Sequence, residues 1–167
     1  MIYLALAIGA CFCTYWVAQV VFVWQHVRWT RRLLPPEAKH AEPPISFIHP
    51  IKDLDPDLEE NLAGCMAQDY QGAVQHIFSF QVPDDPAIPV IERWKTAHPR
   101  QDITIIANPR QKGLSGKSSK MVCGLRIARH EMVLFADSDV RVRPDFIRKM
   151  IRPLLDPKAG VTTCGQI

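Results

Sequence analysis

The sequence predicts an α/β domain, a mostly parallel sheet with helices on both faces, preceded by one N-terminal transmembrane helix. Three observations carry this. Ile2 to Trp24 contains no charged residue. After Pro44, short apolar runs alternate with segments of helical periodicity, the pattern of a parallel sheet with crossover helices. Finally, Met132-Val133-Leu134-Phe135-Ala136 runs unbroken into Asp137-Ser138-Asp139. Strands covered on both faces read as continuous apolar runs of this kind.

The first element is long enough to cross a bilayer, since a helix from Ile2 to Trp24 rises about 34 Å. No Lys or Arg precedes it, whereas Arg28, Arg31 and Arg32 follow it. By the positive-inside rule the N-terminus lies outside and the rest is cytoplasmic. Trp24 and Trp29 fall where an inner interface would anchor them. Three of the 20 basic residues are thus juxtamembrane, leaving 17 basic against 17 acidic from Leu33 onward. The excess of +3 therefore speaks for anionic lipid and topology, and no nucleic-acid partner is expected. The domain reading is 1–32 transmembrane helix with a basic cytoplasmic flank, 33–44 Pro-rich linker, and 45–167 α/β domain.

Within that domain, Ile45 to His49 predicts a first strand. Asp55-Pro56 then signals a helix start, with Leu58, Leu62, Cys65 and Met66 at helical spacing. Val74 to Phe80 is a second strand, and Asp85-Pro86 repeats the start signal for a helix bearing Ile88, Ile91 and Trp94. Ile103 to Ala107 is a third strand. A helix follows from Gly116 to Arg129, then the Asp-Ser-Asp strand, a helix after Pro144, and a last strand over Gly160 to Cys164. The five cysteines have no CxxC or Cys/His spacing and read as reduced, buried, small hydrophobes.

Two stretches carry chemistry. Asp137 and Asp139 stand at the carboxyl edge of the sheet, where open α/β folds bind ligands. Two hard oxygen donors there suit Mg2+ or Mn2+; the same tripeptide would equally serve as an Asx-turn with solvated carboxylates. The second stretch is acid-free from Thr104 to Arg129 and opens a helix with Gly113-Leu114-Ser115-Gly116-Lys117-Ser118-Ser119-Lys120. Glycines, hydroxyls and lysines at a helix N-terminus suit phosphate oxygens, although a solvated basic face would read the same way. Gly116-Lys117-Ser118 imitates the end of a Walker A loop, yet the glycine that pattern needs five residues before its Gly-Lys pair is Gln111. Asp84, past the second strand, lies where a nucleobase or ribose would be met. Asp85 reads as a helix cap, and His49 is the one histidine falling at a strand end on this edge.

Taken together, Ile45 to Lys52, Gln68-Asp69-Tyr70, Gln81 to Ala87, Gly113 to Lys117 and Ala136 to Val142 resemble inverting, GT-A-type glycosyltransferases. The resemblance is to the ceramide glucosyltransferase group (family 2/21-like) and its bacterial relatives in hopanoid glycosylation, N-terminal part only. It implies a membrane-anchored hexosyltransferase moving a glucose- or N-acetylglucosamine-type sugar from a nucleotide diphosphate sugar, a UDP-sugar, to a lipid hydroxyl. By that resemblance Asp137 and Asp139 hold a divalent metal. Gly113, Lys117, Asp84 and Asp137 contact the donor, with Asp84 replacing the family's acidic residue, at whose position Val82 stands. The general base is expected beyond Ile167. Two other readings stand beside it: a catalytically silent nucleotide-sugar-binding fragment, and a degenerate P-loop NTPase.

Overall fold

The computed structural model describes residues 2–33, 42–107 and 115–164, with the side chains of the first helix described at 3 and 8–28. These residues fall into two compact units: the first helix with residues 152–162, and residues 42–151 with 163–164.

In the first unit, α1 (Ile2–Leu33) is followed at the far end of the chain by a short 3-10 turn, Arg152–Leu155. Residues 8–28 are exposed all round, and Ile8–Arg28 is long and apolar enough to cross a membrane. Its polar groups are managed locally. The Thr14 hydroxyl donates to the Ala10 carbonyl at 2.8 Å, and the Arg28 guanidinium sits 4.5 Å over the Trp24 ring, a cation–π contact at the basic end.

The second unit is the expected α/β layer structure. Its elements are β1 (Ile45–Pro50), α2 (Leu58–Met66), β2 (Val74–Phe80), α3 (Ile88–Ala97), β3 (Asp102–Ala107), α4 (Gly116–Ile127), β4 (Met132–Phe135) and α5 (Phe146–Ile151). The four strands are all parallel, in the order β3-β2-β1-β4. Alternation along the strands sends Phe47, Phe78 and Ile103 to one face, where they meet α2, α3 and α5. Leu58, Leu62, Phe78, Phe80, Ile91 and Ile103 form one buried cluster there, and Phe47 packs against Phe146.

The other face carries α4. Gly124 makes the close approach possible, because a Cβ there would come within 2.6 Å of Ile48 Cγ2. Ser46 and Gln75 are buried on this face and collect the end of α4: Gln75 accepts the Arg129 N–H at 2.9 Å and donates to the Ile127 carbonyl at 3.2 Å.

The structure departs from the sequence expectation in four places. Residues 160–164 form no strand; β-branched preference is expressed against a neighbouring strand, and these residues pair with none in the sheet. Cys164 is consequently exposed, as are Cys11 and Cys13 on α1, whereas Cys65 and Cys123 are buried as expected. Both Asp-Pro signals act two to three residues ahead of their helices. Asp55 and Asp85 each accept the N–H two residues on, at 3.0 Å, forming Asx-turns. His49 does not face the ligand edge but is buried beside His76, with Nε2 of one ring 3.2 Å from Nδ1 of the other.

Candidate functional site

The chain runs β1, β2, β3 outward and then returns to the other side of β1 for β4. The order therefore reverses between β1 and β4, and the crevice at their carboxyl ends is where doubly wound sheets take ligands. The loops after β1, β2 and β4 and the start of α4 all belong to this edge.

Asp137 follows the last backbone bond tying β4 to β1, from Ala136 N–H to the Ile48 carbonyl at 3.3 Å. Its Oδ2 accepts from Lys117 Nζ at 2.6 Å. Lys117 stands in the first turn of α4, which Ser115 caps: the Ser115 hydroxyl accepts the Ser118 N–H at 3.3 Å. The fold thus brings the basic helix start onto the acidic strand end, two features far apart in sequence. Gly116 lies beneath Gln81, whose side-chain oxygen a Cβ would strike, so the loop after β2 also reaches this helix start.

Asp139 is exposed on the same turn as Asp137. Asp84 is exposed on the loop after β2, while its neighbour Asp85 is buried and spent on the backbone. Asp85 Oδ2 accepts the Asp53 N–H at 3.2 Å, holding the β1 loop where Asp53 takes a positive φ of 61°. Asp tolerates that conformation better than most residues. Gly113 lies outside the described residues.

Two functional candidates had little or no signal in the sequence. Lys120 reads as one more base of a phosphate loop, yet it is buried, and its Nζ donates to the Ile51 carbonyl at 2.8 Å. Burial pushes its pKa down, opposed by the Asp85 carboxylate. It supports the β1 loop from beneath. Asn61 of α2 is buried and donates to the carbonyl of Ser138, between the two aspartates, at 3.1 Å. No pattern marks it.

A divalent cation can be tested against these donors. Among the described residues no group of three or more His, Cys, Asp or Glu side chains gathers. The site offers at most Asp137 and Asp139, and one of them already faces a positive charge. That donor set fits a hard cation held by one or two carboxylates and completed by phosphate oxygens and water, the habit of Mg2+ and Mn2+ at nucleotide sites.

The profile of the family described as Glycosyl transferase family 21 matches residues 4–165. The chain belongs to glycosyl transferase family 21. Among curated relatives, ceramide glucosyltransferase 1 of Caenorhabditis elegans is 30% identical over 122 residues, covering 72% of this chain and 26% of the relative. An N-acetylglucosaminyltransferase of Bradyrhizobium diazoefficiens is 25% identical over 133 residues, covering 78% and 26%. The chain spans about a quarter of the length of these relatives. Among solved structures, the mannosyltransferase PcManGT of Pyrobaculum calidifontis, in complex with GDP-Man and Mn2+, is similar with a TM-score of 0.60 and 24% identity. The similarity covers 87% of this chain and 42% of that one. It establishes the fold, and the GT-A-like α/β architecture expected from the resemblance is the one observed.

Proposed function

We propose that this family 21 chain binds the donor of a membrane-anchored glycosyltransferase, which moves a hexose from a nucleoside diphosphate sugar to a lipid hydroxyl. The observation that carries the reading is the Lys117–Asp137 pair at the switch point. It joins a helix start suited to phosphate with a turn suited to a cation, the two charges a diphosphate needs on either side.

In this reading Lys117 and the backbone N–H groups of Gly116 and Lys117 at the start of α4 bind the diphosphate, and Gln81 and Asp84 lie toward the nucleoside. Asp137 and Asp139 would hold Mn2+ or Mg2+, which supplies positive charge against the departing nucleoside diphosphate. The relatives' names favour glucose or N-acetylglucosamine as the sugar and a ceramide-like acceptor; the UDP carrier and a hopanoid as alternative acceptor are what the sequence resemblance implies. α1 anchors the chain, with Arg28 and the bases after it at the cytoplasmic surface.

The test is calorimetric titration of the detergent-solubilised chain with UDP-glucose and UDP-N-acetylglucosamine, with and without Mn2+. Mn2+-dependent binding, abolished in the Asp137→Ala, Asp139→Ala double variant, is the expected result. Tighter binding of ATP than of either sugar nucleotide would sink the reading in favour of a P-loop hydrolase.

A further inference from the structure

We propose that α2 is the mould for the Asp137–Asp139 turn and that Asn61 is a positioning residue for its carboxylates. The proposal rests on the donor-site reading above. Asn61 is 5% exposed, on a helix face otherwise buried through Leu58, Leu62 and Cys65. A carboxamide in such a place costs free energy unless its groups are hydrogen-bonded, and a leucine would fill the core as well. Asn61 spends its donor on the carbonyl of Ser138.

The grip continues beyond that bond. Segment 136–145 contains neither helix nor strand, so its backbone groups need partners elsewhere. α2 and the residues just after it supply them. Gly64 lies so near Val142 that a Cβ would meet its carbonyl oxygen at 3.2 Å. Gln68 donates to the Arg143 carbonyl at 2.9 Å and accepts the Ile147 N–H at 3.0 Å. The Asp69 N–H donates to the Pro144 carbonyl at 2.8 Å. The Gln68-Asp69 pair, which the sequence offers as a motif without a role, is thus the far end of the same clasp.

Among the described residues, Asn61 alone makes a side-chain bond to the backbone between the two aspartates. Carboxylates one residue apart share a cation when the turn holds both on one side, and the Asn61 bond fixes the carbonyl of the residue separating them. Partners of this indirect kind typically change metal affinity about 10-fold or more when removed.

The experiment reads free Mn2+ by electron paramagnetic resonance while the ion is titrated into the full chain in detergent, with UDP or GDP present. Asn61→Leu is expected to weaken Mn2+ binding about 10-fold. Gln68→Leu, which cuts the clasp away from the carboxylates, is expected to lower Tm with Mn2+ affinity kept within about two-fold of wild type. A folded Asn61→Leu chain with wild-type Mn2+ affinity overturns the proposal alone. A wild-type chain that takes up no Mn2+ with either nucleotide overturns the donor-site reading and this proposal with it. If the leucine variant does not fold, Asn61→Ser, which cannot overpack, carries the same expectation. Failure of both to fold would assign Asn61 a purely architectural role and overturn the proposal.

Discussion

Lys117 and Asp137 share a charge interaction that a bound donor would divide, the ammonium going to phosphate and the carboxylate to the cation. In the proposed site, Lys117 would compete with the cation for Asp137 when no nucleotide is bound. Lys117→Met is therefore expected to tighten Mn2+ binding in the absence of nucleotide while weakening UDP-sugar binding about 10-fold, the scale of one hydrogen bond to a charged group. Spin-resonance and calorimetric titrations would read the two effects. Tm should change little, because an ion pair with side chains 57% and 34% exposed contributes about 1 kcal/mol at most. The buried His49–His76 pair makes a different demand. Burial holds His49 well below its usual range, helped by His76 beside it, and pulls His76 from 6.5 to about 4. The folded chain thus refuses protons that the unfolded chain accepts. Stability should be full above about pH 6.5 and decline as pH falls, with the His76 contribution levelling off near pH 4. The loss from His76 is on the order of 3 kcal/mol, and urea denaturation of His76→Gln should show a flatter acid limb.

At the scale of elements, α4 bears on both stability and the site. Gly124→Val would drive side-chain atoms into Ile48, and overpacking of this kind costs about 1–3 kcal/mol. The expected outcome is a lower denaturation midpoint together with weaker donor binding, since α4 carries Lys117. The order of strands and helices was legible in the sequence because buried parallel strands and amphipathic helices write different periods. Asp137 stood out as charge placed where an apolar run ends, and Lys117 as a base opening a helix among glycines and hydroxyls in an acid-free stretch. Asn61 was not, because one asparagine on a helix says nothing of the carbonyl it will meet 77 residues on. His49 misled for the converse reason. A polar residue at a strand end reads as edge chemistry until the face it occupies is known. The strand expected at residues 160–164 rested on local preference alone, and a strand needs a neighbour.

For the whole molecule, charge and hydropathy are segregated along the chain. Residues 2–24 carry no charged side chain and Arg28, Arg31 and Arg32 close the same helix, while the chain from Leu33 onward is formally neutral. Deleting residues 1–32 is expected to release the α/β unit from carbonate-washed membranes with nucleotide binding retained. Replacing Arg28, Arg31 and Arg32 with glutamine is expected to scramble orientation, read as mixed protease protection of the C-terminal region in sealed vesicles.

The reversal of strand order also bears on how the chain reaches its final state. Ile45 pairs with Val74 on one side and with Met132 on the other, so the second pairing closes a loop roughly three times longer, at an added entropic cost of about 1 kcal/mol. Late docking of β4 follows, after β1, β2 and β3 have formed a nucleus from nearer partners. In pulse-labelling hydrogen exchange during refolding, amides of β1 and β2 should gain protection before those of Val133 to Phe135. Donor binding would then appear only with the slowest phase, which makes the nucleotide a reporter of completed folding.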